Sequence, residues 1–219
     1  MALSSGVGIE EFSALVTAAD VDDGEALPAI DRALVKLGLA CALPSLNKAA
    51  SGRAITEALA LGATTQQIQE IVSLIAGLGV HSLMLTSSLI TTGAGLTESD
   101  GTIAFTSDEQ KIWDARVGND PFWDRMEDEL PGFLRSMLKL SQAQFEAFFD
   151  FCAVPWKTRT VSARTKELLA MASDAMPSHR FMPGFRLHLA NAIKLGAGRR
   201  ALEDCLQLAA QTPAHVGVD

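Results

Sequence analysis

Apolar residues recur along most of this chain at intervals of three and four, the spacing of one face of an α-helix. Leu168, Leu169, Met171, Ala172, Ala175 and Met176 mark one such face, and Met176-Pro177-Ser178 ends it. Pro183 suits the first turn of a following helix, whose positions Phe185, Leu189, Ala192, Ile193 and Leu195 run until Gly196 supplies a C-terminal stop. The same periodicity predicts helices over 8–19, 28–43, 49–61 and 66–77, the third stopped by Gly62 and the fourth capped by Thr64 or Thr65. Ser107 with Gln110 and Ser141 with Gln144 match the capping box and open helices over 108–116 and 142–153. Between them, Asp120-Pro121 and Leu130-Pro131 start two more. No segment alternates with period two, and Tyr is absent, so the expected fold class is all-α.

Residues 71–97 carry no charge, and the part up to Ile90 is about as long as the ~20 residues that cross a bilayer. Gly77, Gly79, His81, Ser82, Thr86, Ser87 and Ser88 interrupt it, however, and no Lys or Arg flanks it. Two helices buried in a bundle or a subunit interface are the expectation, with no membrane partner.

Sliding the chain against itself by 134 residues lays Gly62 on Gly196, Ala63 on Ala197 and His81 on His215. Over 54–81 against 188–215, seven of 28 positions match without a gap, at a helix stop and along apolar faces. A duplicated helical unit explains this, giving an N-terminal repeat at 1–97, a linker with short helices at 98–130 and a C-terminal repeat at 131–219. The shift puts Ala33 at the place of Glu167, Ser45 at that of His179 and Ala54 at that of His188. Only the second copy keeps its ionisable residues.

Composition narrows the chemistry. With 48% hydrophobic residues in 219, a sizeable core is assured. A net charge of −8 without any basic run excludes the electrostatic footprint of a nucleic-acid binder. No secretory signal is visible at the N-terminus, so a cytoplasmic location is expected. Cys41, Cys152 and Cys205 form neither a C-x-x-C pair nor a metal-ligand spacing, so no metal and no redox chemistry is expected.

What remains is acid/base chemistry. Glu167 on one predicted helix, His188 on the next, and His179, Arg180 and Arg186 around their connection make a candidate proton-transfer pocket. Trp156 either walls that pocket or is plain packing, and His81 lies at the end of the first repeat.

The runs Thr165-Lys-Glu-Leu-Leu-Ala-Met-Ala and Ser178-His-Arg-Phe-Met-Pro-Gly-Phe-Arg-Leu-His-Leu-Ala-Asn-Ala-Ile-Lys-Leu-Gly-Ala-Gly resemble the carboxymuconolactone decarboxylase-like superfamily, which includes alkylhydroperoxidase-type enzymes. Glu57-Ala-Leu-Ala-Leu-Gly-Ala-Thr-Thr-Gln-Gln-Ile-Gln-Glu-Ile-Val repeats the likeness in the first half, so residues 30–92 and 131–215 are covered. The resemblance implies a tandem of two such helical bundles. The peroxidase branch works through C-x-x-C before the helix His, and here those two places hold Phe181 and Gly184. The decarboxylase branch keeps the Glu and the His, here Glu167 and His188, although the connection between them is about two residues longer in this chain.

The leading expectation is therefore a cofactor-independent decarboxylase, or a related lyase or isomerase, acting on a small carboxylated lactone or enol in aromatic-compound catabolism. Glu167, His188 and His179 are its candidate catalytic residues, and Arg186, Arg180, Trp156 and His81 its candidate substrate contacts. The alternatives are a thiol peroxidase and a non-catalytic small-ligand binder or assembly subunit. The resemblance also implies a homo-oligomer, with a trimer as one form.

Overall fold

The computed structural model describes residues 9–217, and every regular element in them is a helix. In order these are α1 (Ile9–Ala18), α2 (Ala29–Cys41), α3 (Lys48–Ala60), α4 (Thr65–Ala76), a 3-10 turn (Gly77–Val80), α5 (His81–Gly93), α6 (Ser107–Arg116), α7 (Pro121–Glu129), α8 (Phe133–Leu140), α9 (Gln142–Thr158), α10 (Ala163–Asp174), α11 (Met182–Lys194) and α12 (Arg199–Ala210). Position 8, the expected first residue of α1, lies outside the described residues. The helices gather into two compact units, one running up to Leu78 and resuming at Pro155, the other Gly79–Val154. The three-part division read from the sequence follows the repeats, whereas compactness puts both sets of three helices in one unit.

The first unit is built around α10, which packs on α2, α4, α11 and α12. Ser162 caps it, its hydroxyl accepting the Thr165 N–H at 3.1 Å, and every residue from Thr165 to Asp174 is buried. A helix buried on all sides should be apolar all round, yet this one carries Lys166, Glu167 and Asp174. Each of those groups must then be matched or neutralised, because an uncompensated buried charge is costly.

Helices α2, α3 and α4 recur 134 residues later as α10, α11 and α12, their bounds agreeing to within one residue. Gly62 and Gly196, both in the left-handed region at φ +90 and +84, end α3 and α11 in the same manner. Two ion pairs obey the same offset. Lys166 Nζ lies 2.7 Å from Glu70 Oε1, and Arg32 Nη1 lies 2.8 Å from Asp204 Oδ1. Even the backbone donors correspond, Val161 N–H to Glu70 at 3.3 Å and Leu27 N–H to Asp204 at 3.0 Å. Each acid on a third helix thus grips the base on the other set's first helix.

The Lys166–Glu70 pair is the buried one. Burial alone would raise the Glu70 pKa, but hydrogen bonds from Lys166, from the Thr160 hydroxyl at 2.6 Å and from the Thr160 N–H at 2.8 Å bring it down to about 2. The Lys166 ammonium also donates to the Pro155 carbonyl at 2.9 Å.

In the second unit α5 packs on α8, with the Thr91 and Ser136 hydroxyls hydrogen-bonded at 2.8 Å in an otherwise apolar contact. Phe133, Phe145 and Phe148 are buried there beside Trp123 and Phe149. Two expected helix starts move. The α6 capping box uses Thr106 and Glu109, one residue earlier than Ser107 and Gln110, because it is the Thr106 hydroxyl that accepts the Glu109 N–H. Helix α8 begins at Phe133, since Gly132 at φ +75 breaks the chain direction just before it.

The stretch Thr65–Gly93 has the length and mean hydropathy, 1.6, of a membrane span. It is divided by the 3-10 turn, and its first part buries Glu70, Ile71 and Ile75. Its second part, expected to be buried in a bundle or a subunit interface, encloses only Met84, Ser87 and Thr91 within the chain and leaves Leu85, Leu89 and Ile90 at 62%, 63% and 51% exposure.

Candidate active site

Glu167 projects from α10 toward α11, where His188 and Asn191 stand three residues apart and so on one face. Glu167 Oε2 lies 2.6 Å from His188 Nδ1, and Asn191 Nδ2 donates to Glu167 Oε1 at 3.2 Å. Both carboxylate oxygens are thereby engaged. The Glu167 side chain is 8% exposed and that of His188 20%, so the imidazole is the member of the pair that a small molecule can reach. With Nδ1 committed to Glu167, Nε2 is the nitrogen left to act on it.

Burial by itself would lower the His188 pKa. The hydrogen bond and charge of Glu167, with a smaller effect from the charge of Asp174, more than offset this and raise it. The ring therefore holds its proton to higher pH than an ordinary histidine. A carboxylate behind one nitrogen of a charged imidazole is the arrangement that orients a general acid/base.

Asp174, at the C-terminal end of α10, is 1% exposed. Burial pushes its pKa up to about 8, partly countered by the positive charge at His188. His179 stands on the loop between α10 and α11, its Nε2 3.7 Å from Asp174 Oδ1. Burial lowers the His179 pKa. Burial thus disfavours the charged form of both partners in this contact.

The loop is fixed by its own backbone. His179 and Arg180 N–H groups both donate to the Met176 carbonyl, at 2.9 and 3.0 Å, and Phe181 N–H returns to the Asp174 carbonyl at 2.9 Å. Arg180 adopts φ +51, a left-handed conformation that reverses the chain into α11. Gly184, in the first turn of α11, lies against the Asp174 carboxylate, and a Cβ there would collide with Oδ2 and come within 2.9 Å of the Phe181 ring. The place of the second peroxidase cysteine is thus taken up by a carboxyl group.

The remaining candidates have settings of their own. Arg180 is exposed and reaches Glu11 at 3.3 Å, and Arg186 is on the exposed side of α11. Trp156 packs with its ring 5.1 Å from the Lys166 ammonium, a cation–π contact. His81 opens α5 in the other unit. Asn191 and Asp174 were not anticipated. Their signals are the spacings Glu167–Asp174 and His188–Asn191, which keep each on its partner's helix face.

The thiols take no part. Burial raises Cys41 and Cys152 to about 11 and pushes Cys205 up as well. All three stay protonated near neutrality, which removes the thiolate that peroxide reduction requires.

No family model and no curated protein sequence matches the chain. Among solved structures it is similar to a crystal structure from Burkholderia xenovorans LB400 named as a "putative gamma-carboxymuconolactone decarboxylase subunit". The TM-score is 0.69 at 26% identity, over 84% of this chain and 72% of that one. The likeness supports the carboxymuconolactone decarboxylase-like superfamily that the sequence motifs resemble, and the fold is all-helical as that resemblance implies.

Proposed function

We propose that the chain is a cofactor-independent carboxy-lyase, or a related lyase or isomerase, that acts on a small carboxylated lactone or enol through Glu167 and His188. The observation that carries this reading is the 2.6 Å contact between Glu167 Oε2 and His188 Nδ1 on facing buried helices. The name of the structural neighbour supports a decarboxylase among the possible chemistries.

Loss of CO2 from a carboxylated unsaturated lactone sends an electron pair through the double bond to the lactone carbonyl. The dienolate so formed must be stabilised and then protonated. His188 Nε2, charged because Glu167 backs the ring, meets both needs: it attracts the anion and donates the proton. Asn191 keeps Glu167 aligned.

The matching helix bounds and the paired ion pairs support a tandem duplication, in which the first copy has lost the site. Ala33, Ala54 and Ser45 stand where the second copy has Glu167, His188 and His179, and all three are buried, the Ser45 hydroxyl without a hydrogen-bond partner among the described residues. The loss of one copy's site also suits a small-ligand binder. The exposed apolar residues of α5 support a homo-oligomer of the chain.

The test is turnover of a panel of carboxylated lactones by the wild-type protein and by Glu167→Gln and His188→Gln. The lyase reading expects CO2 release that both substitutions abolish while helicity stays. Ligand binding with no turnover of any panel member would favour the binder.

A further inference from the structure

We propose that the groove between α2 and α3, the first copy's counterpart of the acid/base site, is a second binding site of this chain, built for a small monocarboxylate with an apolar body. It holds such an acid without turning it over, and it does not depend on the lyase reading.

Ala50, Arg53, Ala54 and Glu57 follow one another on α3 at intervals of three, one and three, and so share a face, which meets Lys36, Leu39 and Ala40 of α2. Leu208 in the last turn of α12, with Gln211, Thr212 and Pro213 after it, closes a third side around a cavity of about 330 Å³. That third wall is fastened. Asn47, whose Oδ1 caps α3, donates from Nδ2 to the Ala214 carbonyl at 3.1 Å, and the Thr212 hydroxyl donates to the Ala209 carbonyl at 3.0 Å. Sites for small molecules run from roughly 300 Å³ upward, so one small acid fits.

The 134-residue offset shows what has changed here. Ala40, Ala50 and Ala54 stand where the second copy has Asp174, Gly184 and His188, while Lys36 and Arg53 stand where it has the buried Ala170 and Leu187. The polarity is thereby inverted: ionisable groups have given way to methyl groups in the groove, and apolar residues to two cations beside it. Interiors ordinarily close over room of this kind, because unfilled space forfeits packing contacts. In the first copy the room stays open, with cations in its walls.

The lining defines the ligand. Leu39, Ala40, Ala54, Leu208 and Pro213 give it apolar walls, which suit a ring or a short hydrocarbon chain. Its charges are two cations against one carboxylate. Lys36 Nζ lies 2.6 Å from Glu57 Oε2 and is matched, whereas Arg53 has no ion-pair partner among the described residues. A guanidinium can take a carboxylate through two parallel N–H···O bonds, and the Lys36 ammonium has further donors for the same anion. A dicarboxylate would bring its second charge against Glu57 or the apolar walls, so a single carboxylate is preferred. No imidazole lines the groove among the described residues and Glu57 is held by Lys36, so the bound acid meets no free proton-transfer group.

The probe is benzoate, with benzamide as its uncharged match, titrated calorimetrically into the whole chain. Benzoate should still bind the Glu167→Gln/His188→Gln protein, in which the acid/base pair is disabled, and benzamide should bind about tenfold more weakly or worse, the scale of a lost charged hydrogen bond. In protein labelled at its alanine methyl groups, benzoate should move the Ala50 and Ala54 resonances. Arg53→Gln, a change at an exposed side chain, should weaken binding by about tenfold or more. Ala54→Leu, which fills the groove, should abolish it, and Arg53→Gln carries the test should Ala54→Leu fail to fold. Benzoate binding that is absent from the Glu167→Gln/His188→Gln protein, no tighter than that of benzamide, unchanged by Arg53→Gln, or without effect on the two methyl groups would overturn the proposal. Turnover of carboxylated lactones that survives Glu167→Gln and His188→Gln would instead overturn the lyase reading and leave this site standing.

Discussion

Lys166 and Glu70 meet at 2.7 Å with side-chain exposures of 2% and 0%, and the same pairing recurs 134 residues out of step, as Arg32 with Asp204, at 39% and 22%. One interaction thus occurs twice in one fold, once dry and once wet. Because truncating one member of a dry pair strands the other, Lys166→Met should cost about 3 kcal/mol or more. Arg32→Met should cost about 1 kcal/mol or less, since water replaces what is lost. Urea unfolding of the two variants measures the difference directly, and equal losses would contradict it.

The depressed pKa of Glu70 gives this pair a pH signature. Its ionised form is stabilised by folding, so the contribution is fully present above the ordinary Glu value of roughly 4.3. It is lost as pH falls toward about 2, where the folded protein takes up the proton. Thermal unfolding between these limits should steepen with acid in the wild type and flatten in Glu70→Gln. An unaltered acid limb in the variant would assign the sensitivity to other carboxylates.

Asp174 has the opposite sign. Its raised pKa means that folding is penalised as pH climbs from roughly 3.9, where the unfolded chain ionises, to about 8, where the folded protein does. Asp174→Asn should therefore melt higher than the wild type at pH 7 and at about the same temperature at pH 4. A variant less stable at both pH values would mean that the carboxyl is held by favourable contacts.

Gly184→Ala forces a methyl group into the Asp174 carboxylate and the Phe181 ring, and overpacking of this kind costs about 1–3 kcal/mol. Asp174→Ala removes the obstacle. The double variant should be more stable than the sum of the single changes predicts, by about 1 kcal/mol in a double-mutant cycle, and strict additivity would place the strain elsewhere.

Leu85 and Leu89 lie one helical turn apart and stand more than half exposed on α5. If they meet a second copy of the chain, light scattering should give a mass above 23.3 kDa for the wild type and a lower one for Leu85→Gln/Leu89→Gln. A wild-type monomer at micromolar concentration would contradict the homo-oligomer.

The helices were legible because their local chemistry agrees with their packing. Gly62 and Gly196 stop α3 and α11, Thr64 caps α4, and Pro183 opens α11, each within reach of a one-dimensional pattern. Glu167 and His188 were legible as a pair from residue type and family motif. Lys166 was not, because nothing local distinguishes a buried lysine from the solvated one that usually follows a helix start; the sign was the 134-residue match of Arg32 with Lys166 beside that of Glu70 with Asp204. Asp174 was hidden by its place at a helix end, where an acid is ordinarily in water. For α5 the sequence left two settings open, a bundle or a subunit interface, because apolar composition calls for a partner without saying whether it lies in the same chain.

The most direct measurement is CO2 release from carboxylated lactones by wild type, Glu167→Gln and His188→Gln, each first shown by circular dichroism to keep its helices. The account predicts turnover in the wild type alone, with a loss of at least ~100-fold in either variant, the usual scale for removing a general acid/base. Turnover at the wild-type rate in both variants would contradict it.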